Sequence, residues 1–269
     1  YKRGVAMSRT IKAIAYCNKG YVREKNEDNL IFLDKTLPVS HDGEKESLYE
    51  KKLDLEETEA IFGVFDGMGG YTNGEEASSL TAEIAKETYE RILAGESFEP
   101  TMLKEICFQA NKKICDIMEE RHIKMGSTAS MLYFQQEKLY LCNIGDSPIY
   151  QFHEKEFTPV YKEHTQRAYF RNIENSPEYE MEKFPLTQCL GVPESEFRIS
   201  PYLKELEYQK GDIYLICSDG LSDMLRKSEI AQLLDVDDTL ENIGQSLLDK
   251  ALEYGGNDNI TIILLQVME

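Results

Sequence analysis

Four aspartates of this chain stand within two residues of a short apolar segment of the kind that forms buried strands. They are Asp66, Asp146, Asp219 and Asp258, and each has a glycine or an asparagine as a neighbour. Glu27 and Asp28 stand in the same way at the start of another apolar segment. A buried carboxylate is costly unless it is paired or bound to a metal ion. If the strands lie side by side, these acids meet at one rim of the sheets and require a counter-charge.

The ligand type predicts the kind of ion. The acids offer oxygen alone and no cluster of His or Cys accompanies them, which favours Mg²⁺ or Mn²⁺ with several retained waters. Two such ions about 3.5–4 Å apart share a carboxylate and a bridging water, and they polarise that water for in-line attack on phosphorus. They also reverse the charge of an acidic site, which then attracts a phosphate dianion.

Two of the candidate residues also have simpler interpretations. Asp66 lies in the stretch A-I-F-G-V-F-D-G-M-G-G-Y-T-N-G, residues 60–74, where an Asp ahead of a helix is also typical of a capping residue in an ordinary loop. Arg23 can clamp phosphate oxygens in a bidentate fashion, or it can form a surface ion pair with Glu24 or Glu27. Spacing alone leaves both alternatives open.

Hydrophobic periodicity predicts the elements that must position these acids. Apolar residues at helical spacing predict two amphipathic helices over 75–93 and 102–122, which would cover one face of a sheet. Shorter helices are predicted over 221–225, 227–234 and 240–254. Alternating or continuous apolar runs predict strands over 10–17, 30–33, 61–65, 129–134, 138–144, 149–153, 213–217 and 260–267.

No linker or internal repeat divides the chain, so we expect a single domain over residues 1–269. Residues 34–59 are polar and acidic, which predicts a surface insertion between neighbouring strands with His41 solvated. Regular periodicity is also lost over 161–185, which predicts an irregular excursion near the surface.

Composition limits the classes of function. The chain has 30 Lys and Arg against 49 Asp and Glu, a formal net charge of −19, which argues against a nucleic-acid or anionic membrane surface. No apolar run approaches the roughly 20 residues of a membrane span, and the N-terminal residues contain no secretory signal. The six scattered cysteines form no C-x-x-C pair, so we expect reduced thiols and a cytoplasmic protein.

Six short motifs together carry a specific resemblance. They are Arg23 with Asn26-Glu27-Asp28, Val64-Phe65-Asp66-Gly67-Met68-Gly69-Gly70, Gly126-Ser127-Thr128-Ala129, Gly145-Asp146-Ser147, Ser218-Asp219-Gly220-Leu221 and Asp258-Asn259-Ile260-Thr261. Each is weak alone, whereas six in this order and spacing are specific. Over nearly the whole chain the sequence resembles the bacterial metal-dependent Ser/Thr protein phosphatases of type 2C.

The resemblance implies an α+β fold, a four-layer α-β-β-α sandwich of two antiparallel β-sheets flanked by helix pairs, with a two-metal centre at one end. It implies that Asp66 bridges two Mn²⁺ or Mg²⁺ ions. The Gly67 carbonyl, Asp219 and Asp258 would complete the protein ligands.

The resemblance also implies a role for each of the remaining candidate residues. Glu27 and Asp28 would act mainly through metal-bound water. Arg23 would hold the substrate phosphate. Asp146 with Asp219 would bind a third, weaker ion.

The chain departs from the family's pattern at several positions. Met68 stands where many eukaryotic members have a His proposed as general acid, so proton delivery must come from another group; bacterial members often have Met there. Pro148 and Gln188 stand where Arg is usual, which affects surface and flap contacts rather than the metal centre. The family's flap corresponds to 161–185, and we expect a structural role for His164 beside the site.

The resemblance implies an enzyme that hydrolyses phospho-Ser and phospho-Thr by direct attack of water, without a phosphoenzyme. Its partners would be phosphorylated proteins, including a Ser/Thr kinase and its targets, and we expect a monomer. Two alternatives stay open: a catalytically silent, phosphatase-like regulatory or binding module, and a two-metal hydrolase of small phosphate esters. None of the expected acids is missing, which favours an enzyme.

Overall fold

The computed structural model describes residues 9–44, 48–68, 73–167 and 183–268. The strands in these ranges are β1 (Thr10–Asn18), β2 (Asp28–Phe32), β3 (Lys35–Thr36), β4 (Tyr49–Asp54), β5 (Ala60–Met68), β6 (Gly126–Ser127), β7 (Ala129–Gln135), β8 (Lys138–Ile144), β9 (Ile149–His153), β10 (Glu156–Pro159), β11 (Tyr202–Glu207), β12 (Ile213–Cys217) and β13 (Ile260–Val267). The helices are α1 (Gly74–Leu93), α2 (Thr101–Arg121), α3 (Asp219–Ser222), α4 (Lys227–Leu234) and α5 (Leu240–Glu253).

Within these ranges the strands form two antiparallel sheets. The first has the order β10-β9-β12-β13-β1-β4, and the second has the order β11-β8-β7-β5-β2-β3 with β6 added to β5. Strands that are distant in the chain are neighbours in space, since β1 pairs with β13 along its whole length. The beginning and the end of the described chain are therefore joined in one sheet.

Alternate residues of the central strands face opposite layers, which explains why these strands are apolar throughout. In β13, Ile263 and Leu265 pack between the sheets, whereas Ile262 and Leu264 pack with the helices α3, α4 and α5. The second sheet packs its outer face against α1 and α2 in the same way. The predicted four-layer α-β-β-α sandwich is confirmed.

The predicted helices are confirmed, and none of their ends differs from the prediction by more than three residues. The start of α5 follows from a side-chain cap, because Thr239 Oγ1 accepts a hydrogen bond from the Asn242 N–H at 3.2 Å. The end of α2 is marked by His122, which adopts a left-handed conformation with φ of 55°.

The prediction of a surface insertion over 34–59 did not include the two strands that form there. This segment contains β3 and β4, and β4 pairs with β1 from Thr10↔Asp54 to Ala15↔Tyr49 as the edge strand of its sheet. Charged, exposed side chains hide the strand pattern there, and such charges are typical of edge strands. His41 is likewise not simply solvated, since its Nε2 donates to the Asp28 carbonyl oxygen at 2.9 Å.

Two general expectations can be compared with the structure. None of the helices described above is both long and apolar enough to cross a bilayer. All six cysteines lie in the described ranges, and none of them is joined in a disulfide there.

Candidate functional site

Asp66 lies inside strand β5 rather than at its end. The strand continues for two more residues, which pair with β6. Thr128 holds the Asp66 backbone on both sides: its Oγ1 accepts from the Asp66 N–H at 3.0 Å, and its N–H donates to the Asp66 carbonyl at 2.9 Å. The N-cap position of α1 belongs to Asn73, so the simpler interpretation of Asp66 as a helix cap is wrong.

The backbone around Gly67 is too crowded for any other residue. A Cβ atom at this position would lie 2.2 Å from the Gly74 carbonyl oxygen and 2.3 Å from the Glu27 carbonyl oxygen. The Gly67 N–H donates to that same Glu27 carbonyl at 3.1 Å. The glycine therefore allows the acidic segment before β2 to lie against the end of β5.

Asp28 joins the two sheets at the rim where the acids meet. It is the register partner of Asp66 across β2 and β5, and only 2% of its surface is exposed. Its Oδ2 accepts two hydrogen bonds of 2.7 Å, one from Ser218 Oγ and one from Thr261 Oγ1. Because Ser218 precedes Asp219 and Thr261 lies in β13, this carboxylate fixes the strand ends that carry the other acids.

The loop that carries Asp258 is held by the side chain of its neighbour, Asn259. The Asn259 Oδ1 accepts from the Glu27 N–H at 2.8 Å. Its Nδ2 donates to the carbonyl oxygens of Lys19 and Lys25, both at 2.9 Å. Asp258 is thereby positioned against the connection between β1 and β2.

Gly220 is the point of closest approach between the Asp219 and Asp258 loops. A Cβ atom on Gly220 would lie 2.0 Å from the Asn259 carbonyl oxygen, a backbone atom that cannot move aside alone. We expect Gly220→Ala to destabilise the protein by about 2–3 kcal/mol, measured by chemical denaturation. Gly95→Ala is the control: its φ of 108° is strained but its surroundings are open, so we expect a loss of about 1 kcal/mol. Equal losses would show that crowding at Gly220 does not matter.

Burial and mutual repulsion raise the pKa of several of these carboxyl groups. Burial raises the pKa of Asp66 well above its usual range, and the charges of Asp219, Asp28, Asp146 and Asp258 add to the shift. Burial also raises the pKa of Asp28 well above its usual range, despite the hydrogen bonds from two hydroxyls. The pKa of Asp146 rises to about 7 through burial and the nearby charge of Asp219. The predicted acids therefore lie close enough to repel one another.

Among the residues that the structure describes, two cations contact this acidic cluster. Arg23 Nη2 lies 2.7 Å from Asp258 Oδ2, so Arg23 pairs with neither of the two glutamates considered from the sequence. Lys183 Nζ lies 2.9 Å from Asp219 Oδ2, 2.9 Å from Asp223 Oδ2 and 3.7 Å from Asp258 Oδ2. The acids thus have partial counter-charge from the protein itself.

Sequence reasoning missed Asp223 and Lys183. A signal for Asp223 existed, because it follows Asp219 by four residues and such pairs lie on one face of a helical turn. Lys183 had no comparable signal, since it belongs to a segment without regular periodicity.

The donor set fits a hard divalent cation on chemical grounds. The cluster presents carboxylate oxygens, several of them buried, and their raised pKa values reflect negative charge that one or two cations would relieve. Among the described residues, no three His, Cys, Asp or Glu side chains stand in a ready metal-binding arrangement. Asp219 and Asp258 instead direct an oxygen towards Lys183 or Arg23.

Asp146 is positioned by a turn that His164 stabilises. The Gly145 N–H donates to His164 Nδ1 at 3.2 Å, and the His164 N–H donates to the Gly145 carbonyl at 3.1 Å. Burial lowers the pKa of His164 to about 4, so the ring is neutral near pH 7. These contacts support the predicted structural role of His164.

The departures from the family's pattern occupy backbone-supporting positions. The Pro148 carbonyl accepts from the Cys217 N–H at 3.2 Å, next to the start of α3. Gln188 Oε1 accepts from the Ser200 N–H at 2.6 Å. Of the predicted flap, 161–185, the part over 168–182 lies outside the described residues.

Residues 52–254 match the family model described as Protein phosphatase 2C. This match spans more than half of the chain, and the chain therefore belongs to the protein phosphatase 2C family. It is 28% identical over 258 residues to the serine/threonine phosphatase stp of Listeria monocytogenes, with 93% of each sequence covered.

Solved structures agree with this assignment. The chain is similar to the catalytic domain of the serine threonine protein phosphatase PstP, solved in complex with two manganese ions: the TM-score is 0.76 at 25% identity, with 97% of this chain and 100% of that chain covered. The fold also matches that of the serine/threonine phosphatase Stp1 from Staphylococcus aureus, with a TM-score of 0.80 at 22% identity and both chains fully covered. The family predicted from the six motifs is confirmed, and the chain is a phosphoprotein phosphatase.

Proposed function

We propose that this chain is a Mg²⁺- or Mn²⁺-dependent protein serine/threonine phosphatase with two ions held around Asp66. The observation that carries the proposal is the set of mutually repelling carboxyl groups around Asp66 in a member of this family. Two divalent ions would supply the positive charge that attracts phosphate and the activation of a water molecule for its attack. The manganese pair of the PstP catalytic domain supports this choice of ion.

The ligands we propose are Asp66 between the ions, with the Gly67 carbonyl, Asp219 and Asp258 completing the set. The hydrogen bonds from Thr128 to the Asp66 backbone would keep this carboxylate in one place. Asp219 and Asp258 are three-quarters or more buried, and each directs an oxygen towards an exposed cation, Lys183 or Arg23, which a metal ion could replace.

Glu27, Asp28 and Asp146 would have supporting roles. The Asp28 Oδ2 already accepts from two hydroxyl groups, which favours an indirect contact with an ion through water. We propose a third, weaker ion at Asp146 and Asp219. The charge of Asp219 raises the pKa of Asp146, which supports the proximity of the two carboxyl groups.

Arg23 would bind the phosphate of the substrate. Its guanidinium is half exposed and lies at the rim of the acidic cluster, where its Nη2 lies 2.7 Å from Asp258 Oδ2. A guanidinium can hold two phosphate oxygens at once, whereas it contributes little to activating water.

We expect Arg23→Met to raise KM for a phosphothreonine peptide by about 10- to 100-fold and to change kcat less, because a charged hydrogen bond to substrate is lost. Initial-rate kinetics in saturating Mn²⁺ measure both constants. Lys25→Met is the matched control, since Lys25 is an exposed neighbour that pairs with Glu75 outside the cluster. A loss of kcat with unchanged KM would contradict the phosphate-binding role.

Water, rather than a cysteine, would be the nucleophile. Cys17 is fully buried, its sulfur accepts a hydrogen bond from Asn26 Nδ2, and burial raises the pKa of its thiol to about 12. Burial also raises the pKa of Cys217 well above its usual range. Neither thiol near the acids forms a thiolate at neutral pH, which supports hydrolysis without a phosphoenzyme.

The relatives favour protein substrates over small phosphate esters. The similar stp of Listeria monocytogenes is a serine/threonine phosphatase, and the similar PstP is a serine threonine protein phosphatase. We propose phosphorylated proteins as substrates, including a Ser/Thr kinase and its targets, and a cytoplasmic location in keeping with the free thiols.

Phosphate release from a phosphothreonine peptide tests the function. We expect release with Mn²⁺, none with excess chelator, and at least a 100-fold loss in Asp219→Ala. Faster turnover of a small aryl phosphate than of every phosphopeptide would favour the small-ester hydrolase. No turnover of either substrate by the wild-type protein with Mn²⁺ would favour the silent regulatory module.

A further inference from the structure

Lys183 is the most densely paired cation in the described part of the site. Its ammonium nitrogen lies within ion-pair distance of three carboxylates, those of Asp219, Asp223 and Asp258. Two of them are proposed metal ligands. We infer that Lys183 is an internal counter-ion of the metal site, which neutralises these carboxylates in the metal-free chain and which metal binding must displace. The inference rests on the proposed function, since it concerns the same ligands.

The contacts of Lys183 imply direct competition with a metal ion. One ammonium group lies 2.9 Å from an oxygen of Asp219 and 2.9 Å from an oxygen of Asp223. A divalent ion bound to the Asp219 carboxylate would stand close to the Lys183 ammonium and would repel it. Binding of the ion therefore works against the Lys183 pair, and the free energy lost in breaking that pair lowers the measured affinity for metal.

The chain around Lys183 holds it in reach of these acids. Two residues further on, the Pro185 carbonyl accepts from the Gln166 N–H at 2.9 Å. The next residue, Leu186, forms a β-bridge with Thr165. Lys183 thus extends from an anchored segment, and its four-carbon stem gives the ammonium room to swing away without unfolding that anchor.

The charges of the site also indicate how strongly one lysine can affect metal binding. The Lys183 side chain is 61% exposed, so each of its ion pairs is weakened by water and salt. A divalent ion buried among carboxylates has twice the charge and shorter contacts to oxygen. Lys183 should therefore tune metal affinity rather than prevent loading.

Isothermal titration of metal-free protein with Mn²⁺ tests the inference. We expect Lys183→Met to bind Mn²⁺ about three- to tenfold more tightly than the wild type at low ionic strength, with the difference shrinking at high salt. Lys183→Arg keeps the charge and should bind like the wild type. Lys162→Met is the matched control, because in the described residues Lys162 forms no ion pair with the three acids.

A second measurement follows Lys183 itself, without any turnover. Lysines are labelled by reductive methylation with ¹³C, and the Lys183 signal is assigned by its absence in Lys183→Met. We expect this signal to shift on saturation with diamagnetic Mg²⁺, while the Lys162 signal stays in place. The inference alone would be overturned if the protein bound metal while the Lys183 signal did not move and Lys183→Met had the affinity of the wild type. Failure of all variants to bind either ion would overturn both the inference and the proposed function.

Discussion

Asp66→Asn should lower kcat for a phosphothreonine peptide by at least about 1,000-fold and should also make the metal-free protein more stable. The amide keeps the size of the carboxylate and leaves the backbone contacts with Thr128 in place. It removes the negative charge that would hold the two proposed metal ions. Loss of a central ligand removes an interaction needed in the transition state, so kcat falls rather than KM alone rising.

The expected gain in stability follows from removing the negative charge of Asp66. Asp66 is repelled by four other aspartates, and burial raises its pKa well above the usual range. A neutral amide avoids this penalty, so we expect Tm in chelator to rise by several degrees. Phosphate release and thermal unfolding in chelator give both values from one preparation. A variant that loses activity because it is less stable than the wild type would contradict this account, as would one that retains substantial activity.

The second large effect that we expect is a loss of stability of the metal-free protein as the pH rises. The pKa of Asp146 in the folded protein is about 7, above its ordinary value of 3.8, so the folded state binds this proton more tightly than the unfolded chain. Its stabilising contribution is complete below about pH 3.8 and is lost as the pH rises through 7. The metal-free protein should therefore lose about 2 kcal/mol from this group between pH 5.5 and pH 8.

Asp146→Asn isolates this group from all other titrations. We expect the variant to be more stable than the wild type at pH 8 in chelator, with the difference falling by about 2 kcal/mol at pH 5.5. Urea unfolding at each pH measures it. Saturating Mg²⁺ at pH 8 should stabilise the wild type, because the ion replaces the missing counter-charge. A difference independent of pH would contradict the raised pKa.

Much of the fold could be predicted from the sequence because its strands are apolar on both faces. Segments such as 213–217 and 260–267 pack between two layers, and a continuous apolar run is a clear signal. Strand β4 could not be predicted in this way. Its charged residues face solvent at a sheet edge, and its stability depends on pairing with β1 and on the packing of Tyr49 and Leu53 against the core.

The candidate site likewise contains residues that the sequence predicted and residues that it did not. The acids were found because each stands beside an apolar run, and the strand pairing that aligns Asp28 with Asp66 brings two of them together. Asp223 and Lys183 were missed because their place in the site depends on how a short helix and an irregular segment fold back. Ser218 and Thr261 belong to two of the six motifs, but their hydrogen bonds to Asp28 join distant segments and could not be predicted from local sequence.

Anomalous scattering from crystals grown with Mn²⁺ tests the central claim most directly. We expect two strong peaks about 3.5–4 Å apart, with the Asp66 carboxylate between them and with Asp219 and Asp258 within coordination distance. The Lys183 ammonium should then lie away from Asp219. Manganese peaks elsewhere on the protein, or a fully loaded crystal in which Asp66 contacts no ion, would contradict the account.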